Sequence, residues 1–278
     1  MRALLVAGGA LALVLSPALA SATPRALPFT YNYETNAEGE GEIETYIDLV
    51  PVKAINSNQN PQTVLLSQFQ EEFEYGITNR LELGLYVTWA PPPSGFTPQG
   101  IVPSLTEANG SKQRLRYRIL DPGVLPVDIG LYGEVTENEN EIELEAKVIL
   151  QKRFGALAIA ANIVTEREFY FTGQADWIFD PSAGFWVQVT PVFQPGFEWW
   201  MYKEWTNQPP AVTVLNPTGT AFNLDDQQYV GPTMHLNLGR VWWTSGAYAR
   251  VTNVDHTLTP GVDSFGKLWF RTVIGVNL

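Results

Sequence analysis

The sequence predicts an all-β chain, a transmembrane antiparallel β-barrel of about twelve strands with short periplasmic turns and longer outer loops. Three observations carry this. The C-terminal segment alternates to its last residue. Leu268, Phe270, Thr272, Ile274, Val276 and Leu278 fall on one face, and Trp269, Arg271, Gly275 and Asn277 on the other, the period of a strand with one apolar side. The chain opens with an export signal. The links between expected strands are sorted by length, short after even-numbered strands and mostly long after odd-numbered ones. A β-sandwich has no reason to sort its turns in this way.

The signal reads from Met1-Arg2 through the apolar stretch Ala3–Leu15 to Ser16-Pro17 and two overlapping small-residue sites, Ala18-Leu19-Ala20 and Ala20-Ser21-Ala22. The apolar part is too short to cross a bilayer as a helix, so residues 1–22 are expected to be cleaved, after Ala22 or Ala20. Residues 23–39 are then an N-terminal periplasmic segment and 40–278 the barrel. Downstream apolar runs are broken every few residues by charge, Gly or Pro, which leaves no candidate transmembrane helix.

Of 278 residues none is Cys, so the fold needs no disulfide and offers no thiolate metal site. The net charge of −12 becomes one unit more negative when Arg2 leaves with the signal. Such acidity repels phosphate backbones and argues against nucleic acid. Nine Trp, eleven Tyr and fourteen Phe suit interfacial aromatic girdles. Mean hydropathy is close to neutral, as strands with one apolar and one polar face require.

Strand 1 spans about Glu40–Leu49, with Ile43, Thr45, Ile47 and Leu49 outward and Glu42, Glu44, Tyr46 and Asp48 inward. Strand 2, Val64–Tyr75, sets Leu65, Phe69, Phe73 and Tyr75 against Gln68, Gln70, Glu72 and Glu74. Gly76–Asn79 turns into strand 3, where Leu81, Leu83, Leu85, Val87 and Trp89 oppose Arg80, Glu82, Gly84 and Tyr86. A Pro- and Gly-rich loop, Pro91–Gly110, precedes strand 4 (Lys112–Leu120), which sets Arg114, Arg116 and Arg118 against Leu115, Tyr117 and Ile119. Strand 5 covers Val127–Thr136. In strand 6, Ile142, Leu144, Ala146, Val148 and Leu150 oppose Glu141, Glu143, Glu145 and Lys147. Strands 7 to 11 follow at Ala156–Glu168, Gly173–Val189, Phe197–Trp205, Asp226–Asn237 and Val241–Val251. A loop around Pro260-Gly261 leads to strand 12.

The hairpin Glu74-Tyr75-Gly76-Ile77-Thr78-Asn79-Arg80-Leu81-Glu82-Leu83-Gly84-Leu85 resembles that of bacterial outer-membrane barrels related to the family named for the MetA pathway of phenol degradation. Arg153-Phe154-Gly155 with Ala160-Ala161-Asn162, and Tyr229-Val230-Gly231-Pro232 with Trp242-Trp243, fit the same pattern. The resemblance covers most of the chain beyond the signal and rests on hairpin grammar, not chemistry. It implies a barrel of transport role with no set substrate. Leu278 stands where outer-membrane strands prefer a terminal Phe.

Arg114, Arg116 and Arg118 share one face and form a positive ladder inside the expected barrel. Glu72, Glu74, Glu82, Asp128, Glu134, Glu143 and Glu145 on nearby strands are its expected partners, because unpaired charge in a confined lumen is costly. A transverse field across a slender pore and a salt-bridged plug fit these charges equally well. The candidate pore-lining set is therefore Arg114, Arg116, Arg118, Glu72, Glu74, Glu82, Glu143 and Glu145. No catalytic residue, metal ligand or cofactor is expected.

His235 falls on the inner face of strand 10 with Tyr229, Thr233 and Asn237, and His256 near an outer loop. The outer-membrane phospholipase, a twelve-strand barrel with Ser and His, needs a His-Gly-Ser stretch, whereas Leu236-Asn237 follow His235 here. The acidic runs 137–141 and 38–42 lack calcium-loop spacing and read as solvated edges. Trp199-Trp200, Trp205 and Trp242-Trp243 read as membrane-interface anchors in preference to a sugar-stacking site. Phe29–Tyr33 alternates too, as a short periplasmic strand or a segment tucked into the barrel base.

The leading functional expectation is a passive channel or transporter for small molecules in the bacterial outer membrane. The second is a closed structural or adhesion barrel with a salt-bridged lumen, and the third a membrane-embedded hydrolase. Outer-membrane lipid, the outer-membrane assembly machinery and a small-molecule solute are the expected partners.

Overall fold

The structure, a computed structural model, describes residues 25–55, 61–91, 109–206, 226–252 and 266–278. These form one antiparallel sheet of thirteen strands: β1 (Gly41–Ile55), β2 (Pro61–Thr78), β3 (Leu81–Trp89), β4 (Gly110–Arg118), β5 (Asp128–Asn138), β6 (Glu141–Phe154), β7 (Leu157–Tyr170), β8 (Ala175–Phe179), β9 (Ser182–Val187), β10 (Phe193–Thr206), β11 (Gln227–Asn237), β12 (Val241–Arg250) and β13 (Leu268–Asn277). The last strand pairs with β12 on one side and β1 on the other, so the sheet closes on itself. Closure gives every described strand a partner on both sides, which is what a sheet surrounded by lipid requires.

The expected twelve staves are present. The eighth is split, because β8 and β9 both lie between β7 and β10 without a register shift. The break falls at Asp180-Pro181, where Pro181 has no N–H to give the ladder, although its carbonyl still accepts from Met201 N–H at 3.0 Å.

The alternation read from sequence is the alternation observed. Leu85, Leu144, Val148, Phe270 and Ile274 are exposed on the outer wall, whereas Glu42, Glu44, Glu72, Glu74, Glu82, Glu143 and Glu145 are buried inside. The first hairpin is longer than expected. β1 runs past Pro51 because its pairing with β13 ends at Leu49, so the proline nitrogen faces a side with no ladder to serve. That extension turns Val50 and Val52 inward, where they meet Val64 and Leu66 of β2 in an apolar patch of the interior.

The sorting of links holds in direction but not in extent. Links 90–109, 207–226 and 251–267 all leave one rim, yet β5–β6 and β7–β8 on the same rim are joined by the short stretches 139–140 and 171–174. Most of the Pro91–Gly110 loop, and His256, lie outside the described residues.

The N-terminal stretch Arg25–Asn36 lies inside the barrel. Arg25, Leu27, Thr30, Tyr31, Asn32, Tyr33 and Asn36 are buried among the inward side chains of the barrel. Of the two readings of Phe29–Tyr33, the tucked-in one matches this placement.

Candidate functional site

The interior divides into a charged ladder, the segment threaded across it, and the space left over. On the ladder, Arg114 Nε lies 2.7 Å from Glu72 Oε1 and 2.5 Å from the Tyr86 hydroxyl. Its Nη1 lies 2.7 Å from Glu82, and its Nη2 meets Glu74. Arg116 donates to Glu82 at 2.9 Å, with Glu74 at 3.8 Å. These carboxylates come from β2 and β3 alone. Glu134 and Glu145, expected to serve the ladder, pair instead with Lys112 (3.4 Å) and Lys147 (2.5 Å). Glu143 lies with them, the three offering oxygens within 4.8 Å of one another. Arg118 reaches the short-turn rim, where it donates to the Asn79 carbonyl at 2.6 Å and lies 3.7 Å from Asp121 of its own following link. Among the described residues no carboxylate of an adjacent strand pairs with it.

The ladder forms because Gly84 makes room for it. On β3, Gly84 lies opposite Arg114 on one side and Glu74 on the other. A Cβ at residue 84 would fall 2.5–2.7 Å from the Arg114 side chain and Glu72 Oε1. The guanidinium therefore crosses one whole strand to reach β2. The same device recurs where Trp242 of β12 lies over Gly275 of β13, and its indole N–H donates to Glu42 of β1.

The threaded segment has no β-ladder, so its backbone N–H groups need acceptors from the wall. Glu198 accepts from Phe29 (3.0 Å) and Thr30 (2.5 Å), Asn162 from Tyr31 (2.6 Å), Gln151 from Tyr33 (3.1 Å), and Glu82 from Asn36 (2.6 Å). Asn162 also donates to the Tyr31 carbonyl at 3.1 Å. Side chains add to this. Phe29 stacks on Trp200 at 4.4 Å between ring centres, the Arg271 guanidinium carbon lies 3.9 Å from the Phe29 ring centre, and Arg25 lies 3.5 Å above the Tyr31 ring while donating to the Tyr46 hydroxyl at 2.8 Å.

Trp200 is covered by Phe29 on one side and stacks with Tyr229 at 4.3 Å. That occupancy, and the buried positions of Trp200 and Trp242, correct their reading as interface anchors. Within each Trp pair only Trp199 and Trp243 keep the outward parity, and Trp205 is exposed as expected. The acidic runs divide likewise. Glu42 and Glu141 are buried inside, while Glu38, Glu137 and Glu139 are exposed.

His235 is fully buried. Its Nδ1 lies 2.7 Å from Thr244 Oγ1, and the Thr244 hydroxyl donates to the Arg25 carbonyl. With that proton committed, Nδ1–H is the donor to Thr244, and the pair latches the threaded segment.

A cavity of about 170 Å³ remains on the long-link side of the segment, bordered by Arg25, Tyr46, Tyr86, Lys112, Lys147 and Trp269. Sequence reasoning missed this wall-to-segment network. Asn162, Gln151 and Glu198 were legible only as inward-parity residues, and nothing local says what they bind.

No family model matches the chain, and no curated protein matches it. Solved structures do. The chain is similar to the COG4313 outer membrane channel from Pseudomonas putida F1, with a TM-score of 0.57 and 12% identity over 89% of this chain and 98% of that one. It is also similar to the NanC porin, with a TM-score of 0.52 and 9% identity over 84% of this chain and 100% of that one. At these identities the likeness is one of fold.

Proposed function

We propose that the chain is a passive channel or transporter for small molecules in the bacterial outer membrane. The observation that carries this is a closed barrel with an apolar outer wall and a charged interior that retains a cavity beside its threaded segment. The likeness to an outer membrane channel and a porin supports it. On this reading residues 1–22 are removed on export, and the assembly machinery inserts the barrel into outer-membrane lipid. The rim with links 90–109, 207–226 and 251–267 faces outward. The hairpin's resemblance to barrels related to the MetA-pathway family agrees with this reading. On this reading the set Arg114, Arg116, Arg118, Glu72, Glu74, Glu82, Glu143 and Glu145 sets the charge along the path, with Glu145 bordering the cavity.

A second reading, a closed structural barrel, is favoured by one observation. The backbone of Phe29, Thr30, Tyr31, Tyr33 and Asn36 is held across the lumen by acceptors from four strands. Planar-bilayer recording separates the two. The parent is expected to give small conductance steps, and a variant lacking 25–36 larger ones. Replacing Arg114, Arg116 and Arg118 together by Gln raises cation selectivity if the ladder lines the path. An unchanged reversal potential removes the ladder from it. Silence from both parent and deletion variant leaves the closed barrel as the better reading. The hydrolase reading gains no support here, because the hydroxyl at His235 Nδ1 is that of Thr244, which donates to the Arg25 carbonyl.

A further inference from the structure

Arg167 is a cation on the largely apolar outer wall. It has the outward parity of β7, opposite Leu144 on β6 and Trp177 on β8. Its guanidinium carbon lies 5.0 Å from the Trp177 ring centre and 5.5 Å from that of Phe169. Among the described residues no hydrogen bond or ion pair is recorded for it. Two staves from Arg167, Lys203 also faces outward on β10, over Trp205, and is ion-paired to Asp226. The register sets Arg167 opposite Trp177, Trp177 opposite Trp205, and Lys203 two residues along. Two strand spacings and two residues separate the cations by about 12 Å between backbones.

A cation on a barrel's lipid face costs about 2–4 kcal/mol at the bilayer midplane and about 0–1 kcal/mol near the interface. The neighbours of Arg167 fix its level. Phe169, Phe171, Trp177 and Trp205 are all exposed toward the same rim, and a belt of aromatics marks the headgroup region. A guanidinium held there on two aromatic rings presents its donor fork to whatever anion the headgroups offer, and phosphate fits that fork.

We propose that Arg167 and Lys203 form a docking site on the outer wall for a phosphorylated glycolipid of the outer leaflet, whose disaccharide headgroup carries a phosphate toward each end. The spacing of the two cations suits two phosphates held apart by a disaccharide better than one phosphodiester. Arg167 carries the larger share, because Asp226 already answers part of the Lys203 charge. The choice of leaflet rests on the outward orientation of this rim under the proposed function. Cysteine labelling of the rim tests that orientation separately from lipid binding.

The experiment uses the full barrel in phosphate-free nanodiscs, titrated with bisphosphorylated lipid A, its dephosphorylated form and phosphatidylglycerol, and followed by native mass spectrometry. Heat-dependent gel mobility checks that each variant is folded. The parent is expected to bind bisphosphorylated lipid A about tenfold or more tighter than either other lipid, and Arg167→Gln to lose about tenfold, the scale of one charge-assisted contact. Arg167→Lys should keep part of that affinity, and Lys203→Gln should lose less than Arg167→Gln. Equal binding by parent and Arg167→Gln overturns the site, and so does equal binding of the dephosphorylated lipid. Equal or tighter binding of phosphatidylglycerol overturns the glycolipid as its occupant.

Discussion

Replacing Arg114 by Met removes the charge at the centre of the ladder while keeping a long, flexible side chain over Gly84. In the parent the Arg114 side chain is 0% exposed, and it holds Glu72, Glu74 and Glu82 within one network. Arg116 remains, but it reaches Glu82 at 2.7 Å and Glu74 at 3.8 Å, and Glu72 keeps the hydroxyls of Tyr46, at 2.8 Å, and Tyr86 but, among the described residues, no cation. Breaking one buried pair by removing a single partner costs about 3–5 kcal/mol, because a charge is left without compensation. Three carboxylates share the loss here, but they repel one another less once one takes a proton, so the total stays near that range and does not triple. Denaturant unfolding in phosphocholine vesicles, followed by the fluorescence of the nine Trp residues, measures it. The cycle with Glu72→Gln should show coupling, the double variant losing less than the two single losses combined. A loss below about 1 kcal/mol, or additive single losses, would refute the idea that the ladder is a mutually dependent network.

Three further outcomes follow from the wall, the glycine and the rims. Val148→Arg, mid-strand on β6 and exposed outward, should cost about 2–4 kcal/mol in vesicle unfolding. Leu144→Arg, level with Arg167, should cost distinctly less, and equal costs would mean the girdle level is misplaced. Gly275→Val should displace the Trp242 ring from its place over β13 and destabilise by about 1–3 kcal/mol through overpacking; loss of the Trp242–Glu42 hydrogen bond is read from the indole N–H resonance. The chain has no cysteine, so single Asn140→Cys and Gly239→Cys variants report sidedness cleanly. An impermeant maleimide on intact cells should label the first and miss the second, and the reverse pattern would invert the barrel.

The wall was legible in the sequence and the interior mostly was not. Alternation is a local property. A strand's side chains point to opposite faces with period two, so Leu83 and Glu82, or Val148 and Glu145, declare their sides with no knowledge of any neighbour. The hairpin at Gly76–Asn79 and the terminal strand were readable for the same reason, and closure followed from the absence of any tolerable edge. Strand ends were less readable. Pro51 ended β1 too early on paper, because whether a proline nitrogen lacks a partner depends on where the adjacent strand stops.

Partners inside the barrel are a matter of three dimensions. The sequence alone determined that Arg114, Arg116, Glu72, Glu74, Glu82, Glu143 and Glu145 turn inward and that they must find opposite charge. Only the tertiary structure decided that Arg114 crosses Gly84 to β2 while Glu134 and Glu145 go to lysines, since reach across a strand depends on which residue lies underneath. It likewise decided that Arg25–Asn36 threads the lumen. An extended segment carries no pattern that names its surroundings, and the acceptors of its N–H groups come from β3, β6, β7 and β10, far away in the chain and adjacent only once the sheet has closed.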